Sequence, residues 1–229
     1  MVMVFLMKIN CLDKGVVELI TNTDKGDLLV VNAARCSFDK QHEIFDNTKD
    51  AKLIHYLAKH EHLLPFRHPS ATLRIHAPLF VLRQLGKHQV GFSWSEVSRR
   101  YISGEPEFWT PLPDDYRARP DNIKQGSAGS IPDSFEAWSV QDDLHDEALA
   151  SYKLLLELGV CPEQARTVLP QSMYTTTITT GSLLGWHHMF KQRIEEHTQL
   201  ETQEYAKAIG QIMSDIFPVS WEALCEHLL

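Results

Sequence analysis

The spacing of apolar residues changes character along this chain, and that change restricts the fold more than any other feature. Residues 1 to 38 alternate short apolar runs with turn signals, and VELITNTDKGDLLVVNAARCSF reads as a strand, a turn at DKGD, then a strand or a helix start. The opening MVMVFLMKIN is apolar but short, with no basic leader and no small-residue cleavage site, so it reads as a first strand and not as a signal peptide. KDAKLIHYLAKHEH, residues 49 to 62, sets Leu53, Ile54 and Leu57 at helical spacing. ATLRIHA carries a strand signal ahead of Pro78, which suits the first turn of a helix. Residues 104 to 132 are rich in Pro, Gly, Ser and Asp and predict a long surface loop. From 133 onward the period is helical: SFEAWSVQDDLHDEALASYKLLLELG closes on Gly159, a C-terminal cap, a short helix follows over about 162 to 168, and a long one over about 182 to 216. Strands mixed with helices first, and helices afterwards, predict one α+β domain.

Composition narrows the classes of function. The chain of 229 residues is long enough to bury a real core, and its net charge of −8 argues against a nucleic-acid polymer, whose phosphates need a basic face. A small anion is compatible, because a pocket can be positive inside an acidic shell. No apolar run approaches the length of a membrane helix. The four cysteines (Cys11, Cys36, Cys161, Cys225) are scattered without a CxxC, which reads as reduced thiols in a cytoplasmic protein.

Against that acidic background, RQLGKHQVGFSWSEVSRRY, residues 83 to 101, gathers Arg83, Lys87, Arg99 and Arg100 with His88, two glutamines and the single carboxylate Glu96. Carried on a helix that Gly91 ends, Arg83 and Lys87 would share a face, as would Gln84 and His88. Guanidinium forks and the Ser98 hydroxyl match phosphate oxygens. The competing reading is a solvated, charged helix end; Phe92 and Trp94 count against it, since such an end seldom needs two large aromatics. Arg166, on a short helix that stops near Pro170, is either a site residue or an ion-paired surface residue. In WHHMFKQRIEEHTQLETQEYAKAIGQ, Arg193 and His197 are one helical turn apart with Gln199 close by and His188 to one side, either a ligand grip or a hydrated helix face. Twelve histidines invite a metal, but HEHLLPFRH is not HExxH and no spacing puts three ligands on one face, so no metal is expected. Cys161 precedes Pro162 at a helix start, where a thiol can be activated, but no base can be paired with it and a structural thiol is expected.

Taken together, Lys87-His88-Gln89 followed after eight residues by Ser98, with Arg83-Gln84 upstream and Glu96, Arg100 and Tyr101 downstream, resembles the flavin-dependent thymidylate synthases, whose signature is Arg-His-Arg and a downstream Ser. AARCSF, HLLPFRH, ARTVLPQSMYT, TGSL and QRIEEHTQLETQEYA match the family in order, over roughly residues 30 to 210. The resemblance implies one domain over residues 1–229, a mixed or antiparallel sheet packed against long helices, and a homotetramer with shared active sites. It implies reductive methylation of dUMP to dTMP, with methylenetetrahydrofolate as carbon donor, FAD as redox cofactor and NADPH as reductant. The dUMP contacts would be Gln84, Leu85, Gly86, Lys87, Glu96, Val97, Ser98, Arg99, Arg100, Arg166 and Arg193, with Arg193 assisting ionisation of uracil N3. The FAD contacts would be His62, Leu64, Lys87, His88, Gln89, Glu96, Ser182, Leu183, Leu184, His188 and His197. No protein nucleophile is needed.

The chain departs from the family pattern at named positions. Lys87 and Gln89 stand where the triplet has arginines, Arg99 where a glycine is usual, Arg67 where an acidic residue is usual, and Ser182-Leu183-Leu184 where the family has Asn-x-Arg. Arg67 is expected to compensate for the lost guanidiniums at the flavin phosphates. The changed triplet keeps open a flavoprotein with altered methyl transfer, and a non-enzymatic nucleotide-binding protein is the alternative from another class.

Overall fold

The computed structural model describes residues 7–102, 104–121 and 126–229. Strand β1 (Lys8–Cys11) and strand β2 (Gly15–Asn22) form a hairpin that pairs Ile9 with Val17. The rest of the expected first strand, residues 1–6, lies outside the described residues. After the turn at DKGD the chain forms a helix, α1 (Gly26–Arg35), and α2 (Lys49–Lys59) follows. A buried carboxylate joins the two helices: Asp50 Oδ1 accepts from Arg35 Nη2 at 2.7 Å. Next come β3 (Ser70–Pro78), α3 (Leu79–Leu85) and β4 (Phe92–Glu96). Then come α4 (Ser134–Glu157), α5 (Pro162–Ala165), β5 (Tyr174–Ser182), α6 (Leu183–Arg193), α7 (Leu200–Ile216) and α8 (Pro218–Leu228).

The sheet runs β1-β2-β3-β5-β4 with every neighbouring pair antiparallel, so the α+β class and the sheet type are as expected. β3 and β5 make its centre, with Arg74 opposite Ile178. Alternation turns Ala71, Leu73, Ile75 and Ala77 of β3 to one face, where they meet Trp186 and Met189 of α6 and Tyr205, Ile209 and Ile212 of α7 in one core. On the opposite face, Thr72 bonds Thr180 and His76 bonds Thr176, each at 2.9 Å across the β3–β5 pair.

Three expectations are corrected. The helix expected to run to Gly91 stops at Leu85, and residues 92–96, for which no strand was expected, are β4. β5 interrupts the stretch expected to be helical throughout; its run Thr175, Thr176, Thr177, Ile178, Thr179, Thr180 is β-branched without a break, which favours a strand. The helix expected over 182 to 216 is two helices, α6 and α7, separated by a turn over residues 194–199. The loop over residues 104–132 is present, with only a 3-10 turn at Pro113–Asp115 and isolated bridges Phe108–Met173 and Arg117–Ser130 among its described residues. Gly159 follows α4 at φ 85°, a left-handed value that ends the helix. Among the described residues no helix is long and apolar enough to cross a membrane.

Candidate functional site

The segment between α3 and β4 is built to present side chains. α3 ends on Gly86, and the chain then enters β4 through Gly91 at φ 80°, where a Cβ would come within 2.7 Å of Ser182 Oγ. Only glycine turns the chain there, so Lys87, His88 and Gln89 leave the helix and cross above the end of the sheet. On one side of this turn, Arg83, Gly86, Lys87, Gln89, Trp94 and Glu96 line a cavity of about 510 Å³. On the other, Gln84, Arg193, His197 and Gln199 line an open cavity of about 780 Å³ together with Arg117, Gly126, Ser127, Gln192, Glu195 and Thr198.

Arg193 is held from two directions. Its Nε donates to His88 Nε2 at 3.1 Å and its Nη2 donates to the Gln84 carbonyl at 3.0 Å. A ring nitrogen that accepts from a guanidinium must be unprotonated. Burial, then Arg193, then His188 press the His88 pKa down to about 4, so the ring is neutral at pH 7 with its proton on Nδ1. Burial lowers the Arg193 pKa as well, and it remains a cation. Gln84 Nε2 donates to Gln199 Oε1 at 2.6 Å, tying α3 to the turn that follows α6. His197 lies in that turn and not on a helical face with Arg193, yet both line the larger cavity.

The remaining expected residues fall into three groups. After β4, Ser98 Oγ accepts from Arg100 Nε at 3.3 Å, Arg99 donates to the Gly104 carbonyl, and Arg100 lies over the Tyr101 ring at 5.0 Å. Glu96 is exposed at the end of β4; partial desolvation raises its pKa while Arg166 and then Arg83 pull it down, which places both cations on its side of the site. Val97 is exposed and Leu85 is buried, so Leu85 offers a ligand only backbone. Around α6, His188 is exposed and its pKa is lowered by burial, then Arg67, then Lys191. His62 and Leu64 are exposed, the first just ahead of and the second opening a 3-10 turn over Leu64–Arg67 that packs against α6. Ser182 Oγ caps α6 by accepting from Gly185 N at 3.1 Å. Leu183 and Leu184 are buried in the core, so no side chain there is presented to a cofactor.

The charge balance of the region is one-sided. Among the described residues, the ion pairs are Lys14–Glu107, Arg35–Asp50, Arg74–Glu18, Arg117–Glu201 and Lys153–Glu105, with His42, His55 and His227 beside carboxylates. Arg67, Arg83, Lys87, Arg99, Arg100, Arg166 and Arg193 take no part in them. Among the described residues these cations have no carboxylate partner. A flavin dinucleotide needs cationic donors for its diphosphate and a flat wall for its ring. Lys87 and Trp94 offer both in one cavity, with Arg67 beside His188, and the residues present fit the group.

Sequence reasoning passed over Arg117, which lines the larger cavity and a neighbouring one of about 400 Å³. Its Nη2 reaches Glu201 Oε1 at 2.6 Å, and Glu201 is 4% exposed. An arginine in a loop with no motif around it gives no sequence signal. Arg83 and Trp94, noticed only as members of the basic stretch, prove to be cavity lining.

Known proteins resemble this chain in sequence and in fold. The family model described as thymidylate synthase complementing protein (Thy1) matches residues 18–219. A flavin-dependent thymidylate synthase from Thermus thermophilus is 36% identical over 223 residues, covering 97% of this chain and 80% of its own. One from Thermotoga neapolitana is 34% identical over 224 residues, covering 96% of this chain and 95% of its own. Among solved structures, the UMP/dUMP methylase PolB from Streptomyces cacaoi, bound with 5-Br dUMP, superposes with a TM-score of 0.84 at 29% identity, covering 95% of this chain and 97% of that one. The same methylase bound with 5-Br UMP gives 0.83.

Proposed function

The chain belongs to the flavin-dependent thymidylate synthase family, and on that premise we propose that it reductively methylates dUMP to dTMP, with methylenetetrahydrofolate as carbon donor, FAD as redox cofactor and NADPH as reductant. The observation that carries this reading is the set of cations around the α3–β4 turn that have no carboxylate partner among the described residues, in a protein of net charge −8. Arg83, Lys87, Arg99, Arg100 and Arg166, with the Ser98 hydroxyl, hold the phosphates. Arg193 faces the base. Carbon 5 of uracil must become nucleophilic toward the folate methylene, and negative charge over N3 and O2 assists this. Arg193 enters the reaction already oriented by His88 and the Gln84 carbonyl, so it stabilises that charge without reorganising. Bound flavin supplies the hydride chemistry, for which no side chain is suited.

The expected partners are small molecules and further copies of the chain. α4 leaves Phe135, Val140, Leu144 and Leu154 exposed, an apolar surface of the kind that subunit contacts cover, and this supports the homotetramer.

Leu183 and Leu184 favour a second reading, a flavoprotein with altered methyl transfer, because they are core residues where the family has a polar flavin segment. One experiment separates the readings: record the visible spectrum of the purified protein, then supply dUMP, methylenetetrahydrofolate, NADPH and FAD. dTMP formation is the expected result. NADPH oxidation stimulated by dUMP without dTMP establishes the second reading, and a colourless protein that takes up no FAD overturns both. UMP belongs in the same assay, since the structural neighbour is a methylase of both nucleotides.

A further inference from the structure

Away from both cavities, α2 and α8 pack side by side, and their seam carries a cluster that nucleotide chemistry does not use. His55 comes from α2; Glu226 and His227 come from the end of α8. His55 Nδ1 lies 3.2 Å from Glu226 Oε2, and His227 Nε2 lies 3.9 Å from the same oxygen. One ligand atom from each of the three residues lies within 4.8 Å of the other two. The two imidazoles meet edge to face at 89°, with centroids 5.6 Å apart.

We propose that His55, Glu226 and His227 bind a borderline divalent transition-metal cation of the zinc class, which clasps the C-terminal helix to α2. Two imidazole nitrogens and one carboxylate oxygen are the donors that such cations select, whereas magnesium and calcium take oxygen ligands. Tetrahedral zinc with bonds near 2.0 Å sets its ligand atoms about 3.3 Å apart. The His55–Glu226 distance already meets that spacing. The His227–Glu226 distance closes to it by a small rotation of Glu226, whose side chain is 58% exposed and free to turn. The same exposure leaves the fourth position to water. Without a cation, the two imidazole nitrogens converge on one carboxylate oxygen. With one, both rings bind as neutral ligands and the carboxylate offsets half of the metal charge. α8 gains a second anchor at its last turn, beside the bond from Lys191 Nζ to the Leu228 carbonyl.

The test titrates Zn²⁺ into the full-length, chelator-treated protein by calorimetry and follows thermal unfolding with and without the metal. The expected result is one Zn²⁺ per chain and a midpoint raised by about 5 °C at saturation, with no rise in Mg²⁺. His55→Gln and His227→Gln each weaken binding by at least about tenfold. Co²⁺ in place of Zn²⁺ reads the ligand type directly, and the proposal expects a spectrum without a thiolate charge-transfer band. Such a band, lost in Cys36→Ser or Cys161→Ser, overturns the assignment. So does undiminished binding in the His55→Gln/His227→Gln double variant, or an absence of Zn²⁺ binding in the wild type. If a variant is less stable before metal is added, the wild-type stoichiometry and Co²⁺ spectrum still decide.

Discussion

In the proposed mechanism Arg193 concentrates the chemistry into one side chain, and its two hydrogen bonds predict how substitutions rank. Arg193→Ala removes a preoriented cation from the position where charge develops, and a loss of about 10²–10³ in kcat is expected. Arg193→Lys keeps the charge but cannot donate to His88 and the Gln84 carbonyl at once, so it should fall between wild type and alanine. Steady-state dTMP formation, with the dUMP KM reported separately, checks the order; equal activity in all three proteins would remove Arg193 from the mechanism. Arg67 makes a different prediction. It is exposed, faces His188, and has no carboxylate partner among the described residues, so Arg67→Ala should weaken FAD binding by about tenfold as one charge-assisted contact is lost. A flavin titration followed by absorbance measures this, and an unchanged affinity means that Arg67 does not replace the triplet arginines. At this scale Gln84, Lys87, Glu96, Arg166 and Arg193 can be nominated by motif, and the structure brings Gln84 and Arg193 to one cavity and Lys87 and Glu96 to another. Arg117 could not be nominated, because its place depends on where a long loop folds and on a buried partner, Glu201, distant in sequence.

The elements show why motif and structure agree more closely than secondary-structure reading would predict. Arg193 and His197 look adjacent in sequence because of an assumed helix, yet the helix ends at Arg193 and both still line one cavity. Residues 194–199 contain neither Gly nor Pro, so nothing local announces a break. The break is held from outside. Gln203 Nε2, largely buried on α7, donates to the carbonyls of Thr198 at 2.9 Å, Glu195 at 3.2 Å and Glu196 at 3.4 Å. Gln203→Leu keeps the bulk and removes the donor, at an expected cost of about 1–3 kcal/mol from carbonyls left without it. Because that turn also carries His197 and Gln199, and Gln199 bonds Gln84, nucleotide affinity should fall together with stability. Thermal unfolding and dUMP binding on the same variant test the coupling; a stability loss with unchanged binding would make Gln203 a folding residue only. β4 and β5 were hidden for the opposite reason. Their signals are local but were outweighed by the charged residues of one and the apparent helical context of the other, although the unbroken β-branched run of β5 is visible once the helix is not assumed.

Across the whole molecule, five histidines (His76, His88, His145, His187 and His188) have their pKa values lowered in the folded state, with burial as the first cause, and this shapes how stability should respond to acid. His88 and His187 each have a pKa pushed from 6.5 down to about 4, with burial as the first cause in both. His187, on α6, is fully buried against Trp221, and among the described residues neither ring nitrogen makes a hydrogen bond of full geometry. Burial also lowers His76 and His145. Above pH 6.5 neither folded nor unfolded chain protonates these rings, and their full contribution is present. Between 6.5 and 4 the unfolded chain takes up protons that the folded chain refuses, so stability falls as pH falls and the loss levels off below 4. For His88 and His187 this amounts to about 3 kcal/mol each as an upper estimate. Glu96, with its raised pKa, acts in the opposite sense, because the folded state takes up its proton first as pH drops, but it is one group against several. Urea unfolding midpoints from pH 8 to pH 4 should therefore hold level down to about 6.5 and then decline. His187→Leu separates the burial term from the rest, since it removes the titrating ring with its two nitrogens while keeping apolar contact with Trp221. The variant should match or exceed wild type at pH 8 and exceed it by more at pH 5. An equal offset at both pH values would mean that His187 does not titrate on unfolding, and the acid sensitivity would then have to rest on His88 and the other half-buried rings.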